Sequence, residues 1–406
     1  MLKYKKFIVF LIFLFGLMLL SSFTFANNLS NQKLCFISDR FGSYDLFLIN
    51  GDGSNLKRLT TSDLDETNPV WSPDGKKILF LSRKGYAIND EFDLWVINAD
   101  GSNIVKIDTD IRVYNSRMPK WSPDSSKILY VTDSEKRLKI YDLKNNTTLN
   151  LLDSDTEVEY PCWSLDGTMI LTYLKNNKER GVYLISLNGD DKIKLFNNKG
   201  SYEIFSWAPD GSKFAYIYTK PFFSFGGKKS GMYVVDKNGK KDKFLGDAYY
   251  YEWSPDSKFI VFLKKSYTTY QDESYTHYST YIINAEINNK KNKAQLLISI
   301  TDFASFPVLS PDGMKIANKS PNKVYIRELS SGEEIEIKIP GSGLYETNPN
   351  WSLDSENLVI VGYPKLFTGD TDLFIVNYKD GQIYKLTNTE KASEDTPVWS
   401  PVFYSE

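Results

Sequence analysis

Residues 68–80 read NPVWSPDGKKILF, and the turn at 71–75, WSPDG, decides the fold because it keeps returning. It recurs as WSPDS at 121–125, WSLDG at 163–167, WAPDG at 207–211, WSPDS at 253–257, LSPDG at 309–313, WSLDS at 351–355 and WSP at 399–401. Successive copies lie 50, 42, 44, 46, 56, 42 and 48 residues apart. A period in this range marks a repeat architecture. Seven of the eight tryptophans hold this one position, and Trp95 is the exception.

One repeat, residues 66–109, shows what each copy builds. ETNPVW alternates and ends at Trp71 as a short strand. In the turn, Pro73 presets φ, Asp74 can bond local backbone and Gly75 tolerates the exit geometry. KKILFLS is a strongly β-prone run. The polar segment RKGYAINDEFD leads to a third strand, LWVIN. ADGS is an Asp-Gly hairpin turn, and NIVKIDT closes the unit. The third-strand signal recurs as DLFLIN, LKIYDL, GVYLISL, GMYVVD, STYIINA, KVYIREL and DLFIVN. No stretch after the N-terminal segment sustains a 3.6-residue apolar period, so almost no helix is expected.

A four-stranded meander with apolar residues on both faces cannot bury itself alone. Radial stacking solves this and leaves short, protected edges. The expectation is an all-β, eight-bladed β-propeller of antiparallel four-stranded blades, with a seven-bladed ring as the alternative count. Each anchor tryptophan then wedges between neighbouring blades as a structural residue. Burying one indole removes about 150–250 Å² from water, at most about 4–6 kcal/mol at about 25 cal/mol per Å². KLCFISDR, DLFLINGDG and LKRLTTS supply second, third and fourth strands without a first. DTPVWSP, at the other end, is a first strand without a unit. Joining them completes one blade.

These residues resemble the TolB-type propeller repeat, which runs N-P-x-W-S-P-D-G, then D-I-Y, D-G and L-T. NPVWSPDGKKILF at 68–80, SDRFGSYDLFLINGDGSNLKRLT at 38–60 and DTDLFIVNYKDGQIYKLT at 370–387 carry the resemblance. It covers essentially the whole chain after the N-terminal segment. TolB itself resembles a six-bladed propeller behind an α/β domain. Related propellers gate prolyl-oligopeptidase-like enzymes. Here neither an α/β nor a peptidase domain is legible, so the resemblance implies the fold more firmly than a function.

The chain has 406 residues, 41% hydrophobic, 25% charged and 15% aromatic, with a formal net charge of −2. The absence of a basic surplus argues against nucleic acid as partner. Lys3, Lys5 and Lys6 precede the apolar run FIVFLIFLFGLMLL at 7–20, and Thr24 and Ala26 suit cleavage before Asn27. Residues 1–26 are therefore expected to be an export signal and 27–406 one propeller domain, monomeric and periplasmic or secreted. An uncleaved anchor is the alternative, although the 14-residue apolar run is short of the about 20 needed to span a bilayer. Cys35 and Cys162 fall three units apart, so two buried free thiols are expected rather than a disulfide.

Chemistry is argued mainly by what is missing. His277 is the one histidine, no G-x-S-x-G elbow occurs, and the Asp-Gly turns lack the calcium-loop spacing. No catalytic residue, cofactor or metal ligand is assigned. Function is expected where the repeats differ: the segments before each anchor and the loops between second and third strands, which share one face. The longest such loops are read at 86–93, 219–231, 264–279 and 363–372. They carry Phe222, Phe223, Phe225, Tyr267, Tyr270, Tyr275 and Phe367, which suit protein or sugar contacts or else pack back on neighbouring blades. Four or five positions before the anchors stand Glu66, Arg117, Glu159, Glu203, Tyr249, Ser305, Glu346, and Glu394 with Asp395. These should ring the channel mouth and focus a negative potential, or accept backbone N–H bonds from adjacent blades. Two functions remain: an exported, non-enzymatic scaffold for a protein or peptide, or a carbohydrate hydrolase or lyase using mouth carboxylates.

Overall fold

A computed structural model describes residues 29–85, 91–112, 118–132, 137–152, 156–176, 180–196, 200–221, 228–270, 273–288, 293–301, 305–339, 343–344, 347–364 and 370–404. The eight repeats form eight antiparallel blades in a ring. Numbered in chain order, blade 2 is the clearest, with strands Asp65–Trp71, Lys77–Arg83, Glu91–Asn98 and Val105–Arg112. Blades 3, 4 and 5 have first strands Lys120–Trp121, Glu157–Trp163 and Ser201–Trp207. Blades 6, 7 and 8 end their first strands at Trp253, Leu309 and Trp351.

Blade 1 is built from both ends of the chain. Lys33–Ser38 pairs Asp45–Asn50 on one side and Glu394–Trp399 on the other, with Leu34 opposite Trp399 and Ser38 opposite Glu394. The expected closure and the count of eight both hold. Arg40 adds an ion pair to Glu394 at 2.6 Å. Beyond the strand, Tyr404 N donates to Asn31 O and its ring packs beside Trp71.

Every complete anchor turn is held by its own side chains. In blade 2, Ser72 Oγ donates to Asp74 Oδ1 at 2.6 Å and accepts Lys77 N at 2.9 Å. The fifth position is left-handed throughout: Gly75 at φ 69° and Gly211 at 68°, but also Ser125 at 62°, Ser257 at 62° and Ser355 at 60°. The serines hold this unfavourable conformation for a reason. Their hydroxyls accept backbone N–H of Asp74, Asp210 and Asp312, one blade back. A serine here replaces glycine's freedom with a tie between blades.

The tryptophans form a second, deeper set of ties. Trp71 Nε1 donates to Val398 O, Trp121 to Val70 O, Trp163 to Lys120 O, Trp253 to Ser206 O, Trp351 to Val308 O and Trp399 to Asn350 O, all at 3.0–3.3 Å. In each case the acceptor is the residue just before the previous blade's anchor. Each indole is thus buried apolar area with its one polar atom satisfied. Two of the eight joints depart from this. Trp207 Nε1 is buried without an acceptor. Leu309 has no donor to offer; there Glu252 Oε2, from blade 6, accepts Leu309 N at 3.0 Å instead.

The core lies between blades rather than within one. Ala208, Ala215, Val234 and Leu245 of blade 5 pack with Trp253, Ile260 and Ile283 of blade 6. Cys35 and Cys162 are buried and unbridged, as expected. Burial pushes both thiols up, Cys162 to about 11.

One loop reading is corrected. Residues 264–279 are not a loop but the end of a long hairpin, Phe259–Tyr270 paired with Glu273–Asn284. Tyr267, Tyr270, Tyr275 and His277 therefore sit on strands. Tyr and Thr alternate here, and both favour the pleated backbone. The blade 8 first strand is split into Gly343–Leu344 and Asn350–Trp351.

Candidate functional site

The meander puts anchor turns and third-to-fourth-strand hairpins on one face. The starts of the first strands and the second-to-third connections lie on the other. On that second face the innermost strands of blades 1, 2, 4 and 5 share an irregularity. Thr396, Asn68, Tyr160 and Ile204, each three positions before its anchor, adopt φ of 47–52°. Pairing with the neighbouring strand shifts at the same points. For a β-branched residue such as Ile204 this backbone is a genuine outlier, the kind of strain that collects at binding sites.

The bulge divides the mouth acids into two groups. Glu66 and Glu394, five positions before their anchors, are buried and bonded within the fold. Glu66 accepts Thr60 Oγ1 at 3.0 Å and Ser62 Oγ at 2.6 Å. Glu394 accepts Thr387 Oγ1 and Arg40. Thr60 and Thr387 end the L-T of their repeats and also accept Leu46 N and Leu373 N. Each Thr–Glu pair ties the last strand of one blade to the first of the next. Burial raises the Glu66 carboxyl to about 7, against the hydrogen bonds that favour its charge.

Glu159, Glu203 and Asp395, four positions before their anchors, are only partly buried. Tyr160 lies close enough to feel both glutamates: its hydroxyl is raised to about 12 by burial, then by the charges of Glu203 and Glu159. Asp395 is raised by burial, with the charge of Lys319 pulling the other way. Lys319 is a buried cation on the second strand of blade 7, whose first strand is only Val308–Leu309. The sequence alignment of anchors could not show it, because it lies on a different strand.

The third element is the blade 6 hairpin, which extends past its neighbours on this face. Tyr249 is 53% exposed and Tyr267 65% exposed. Lys265 stands 5.7, 5.3 and 5.7 Å from the rings of Tyr249, Tyr267 and Tyr278. Hydrogen bonding to Tyr267 raises the Lys265 ammonium. Phe306, from the start of blade 7, stacks on Tyr250 at 4.3 Å and meets Tyr249 at 6.1 Å. Tyr249 and Tyr267, separately named from sequence, thus belong to one patch with Lys265, Tyr278 and Phe306. Lys265 and Tyr278 escape a sequence reading that makes 264–279 a loop, and Phe306 lies one position beyond Ser305, the residue that the anchor spacing picks out.

Arg117, Glu346, Phe222, Phe223, Phe225 and Phe367 lie outside the described residues, as do the side chains of Tyr270 and Tyr275. His277 is half-buried, opposite Ser266 and Thr301. Among the described residues no group of three or more His, Cys, Asp or Glu side chains is placed to hold a metal ion. Among them, too, no helix is long and apolar enough to cross a membrane.

The TolB beta propeller domain family model matches residues 24–211 and 84–274, together more than half the chain. No curated protein matches the sequence. Among solved structures, an oligogalacturonate lyase in complex with manganese is similar with a TM-score of 0.56 at 13% identity, covering 86% of this chain and 98% of the other. An oligogalacturonate lyase from Vibrio parahaemolyticus gives 0.53 at 11%, covering 87% and 98%. A puromycin-hydrolyzing peptidase from Mycobacterium tuberculosis gives 0.53 at 12%, covering 80% of this chain and 54% of the other. At these identities the likeness is one of fold.

Proposed function

The chain belongs to the TolB beta propeller family, and on that premise we propose that it is an exported, non-enzymatic scaffold, monomeric, that binds a protein or peptide on its long-loop face. The observation that carries this reading is the blade 6 patch. Tyr249 and Tyr267 stand 53% and 65% exposed around Lys265, and tyrosine is among the residues that most often anchor protein interfaces. Beside it, Glu159, Glu203 and Asp395 line the strained inner strands and give the mouth a negative bias toward basic partner segments. Export rests on the basic and apolar N-terminal segment, with the product periplasmic or secreted.

A photo-crosslinking residue at position 267, in cells of the native host, tests the reading. Position 165, where Leu165 is 49% exposed on the anchor-turn face, serves as the control. A discrete protein adduct is expected from 267 and not from 165, reduced at least tenfold by Tyr249→Ala. The absence of an adduct at 267, together with turnover of an oligosaccharide panel that Asp395→Asn abolishes, would establish the carbohydrate-active alternative instead.

A further inference from the structure

We propose that the joint between blades 6 and 7 contains a binding site, on the anchor-turn face, for a planar aromatic carboxylate of about indole size. A cavity of about 500 Å³ also opens at the joint between blades 4 and 5, beside Trp207. The joint between blades 6 and 7 differs in carrying leucine instead of tryptophan and in the charge that Arg327 brings. Trp253 fills the preceding joint against Ala208, Ala215, Val234 and Leu245. One blade on, the same four positions are Ser254, Val261, Ile282 and Leu297. These residues line a cavity of about 560 Å³ beside Leu309, the one anchor that is not tryptophan. The correspondence follows from register: Ala215 pairs Val234 as Val261 pairs Ile282.

A second substitution gives the slot its charge. The third-strand residue opposite the buried apolar residue of the second strand is Ile97, Ile185, Val235, Ile283 and Val376 in other blades, all buried. In blade 7 it is Arg327, opposite Ile316. Arg327 lines the same cavity. Its bonds run through Nη1, to Leu297 O at 3.0 Å and Glu334 Oε2 at 3.4 Å. Nη2 and Nε have no protein acceptor among the described residues. The two lining acids are already engaged: Asp312 holds Lys315 at 2.7 Å, and Asp256 accepts Ser254 Oγ at 2.6 Å and meets Lys258 at 3.5 Å. A carboxylate is what Arg327 can still take up, in a forked, charge-assisted bond.

The slot opens to solvent past Phe259 and Met314, 37% and 60% exposed. It is also independent of ring integrity at this joint. Glu252 closes the backbone to Leu309 N, so the space need not be filled for the blades to meet. A preformed, mostly apolar cleft with one convergent cation is the ordinary form of a small-ligand site.

Isothermal titration of the chain from Asn27 with indole-3-acetate, tryptophol and tryptamine tests this. One saturable site is expected, with the acetate about tenfold tighter than the alcohol and the amine weakest. Leu309→Trp should narrow the slot at its anchor wall and weaken acetate binding at least about tenfold. Arg327→Ile should make acetate and alcohol equal. Should Leu309→Trp not fold, Val261→Phe blocks the opposite wall and carries the same expectation for binding. No saturable binding of any of the three compounds, binding undiminished by both Leu309→Trp and Val261→Phe, or equal affinity for all three in the natural chain would overturn the proposal.

Discussion

Trp121→Phe and Trp207→Phe form a matched pair that isolates the indole hydrogen bond. Both replace an anchor indole by a smaller ring at a blade joint. Trp121 Nε1 donates to Val70 O at 3.0 Å, so its loss removes a net bond of about 0.5–1.5 kcal/mol. Trp207 Nε1 is buried with no acceptor, so its removal instead relieves a penalty of about 1–3 kcal/mol. The change in ring size largely cancels between them. Trp207→Phe should therefore be more stable than Trp121→Phe by about 1.5–4.5 kcal/mol. With an unfolding entropy of about 2.1 cal/mol/K per residue over about 380 residues, each kcal/mol moves Tm by a little over about 1 °C. Melting curves by circular dichroism should thus separate the two variants by about 2–6 °C. Equal Tm values within 1 °C would show that the indole N–H contributes nothing at these joints, and the account of the two irregular joints would fall with it.

Deleting residues 395–406 removes the innermost strand of blade 1 and the Trp399 wedge, and should abolish soluble expression; a truncated chain that melts like the intact one would refute ring closure by the termini. Gly75→Ala should destabilise severely, because a Cβ there would stand 2.2 Å from Val402 Cγ2. Val402→Ala should restore part of the loss, whereas Gly211→Ala, with its nearest contact at 3.4 Å, should cost only the left-handed strain of about 1–2 kcal/mol. Glu252, raised by burial to about 7, binds its proton more tightly folded than unfolded. Its contribution is present below the unfolded value near 4.5 and is lost as pH rises through about 7. Glu252→Gln should flatten that decline in urea titrations by at most about 3 kcal/mol; an unchanged pH profile would refute the assignment.

How much was legible depended on whether a residue repeats. The anchor turns and the third strands are written eight times over, and local turn chemistry dictates them directly; the closing blade follows from them by completing the count. The serine at the fifth turn position was legible as a letter but not as a role: its acceptor bond reaches the previous blade, and nothing local records that. Glu66 and Glu394 were placed at the channel mouth with Glu159 and Asp395, yet one position of offset and a bulge send them inward to Thr60 and Thr387. The blade 6 hairpin hides in its sequence because SYTTY and ESYTHYST are polar enough to resemble a loop, and only the Tyr–Thr alternation signals a strand. Lys319 and Arg327 carry no local signal at all. Each is notable only against the residue that other blades place at the same rung, which requires the register.

The pairing of Lys33–Ser38 with Glu394–Trp399 has a consequence for how the protein is made. Lys33–Ser38 cannot meet its inner partner until Glu394–Trp399 has been synthesised and, for an exported chain, has crossed the membrane. Throughout that interval its inner edge is an open template for pairing with other chains, and contacts this distant in sequence form late. Seven blades can stack as they emerge, but the circle is joined once, at the end. Folding of this chain is therefore vectorial until its final step. The period of greatest exposure to aggregation is set by the length of the chain rather than by the stability of any blade.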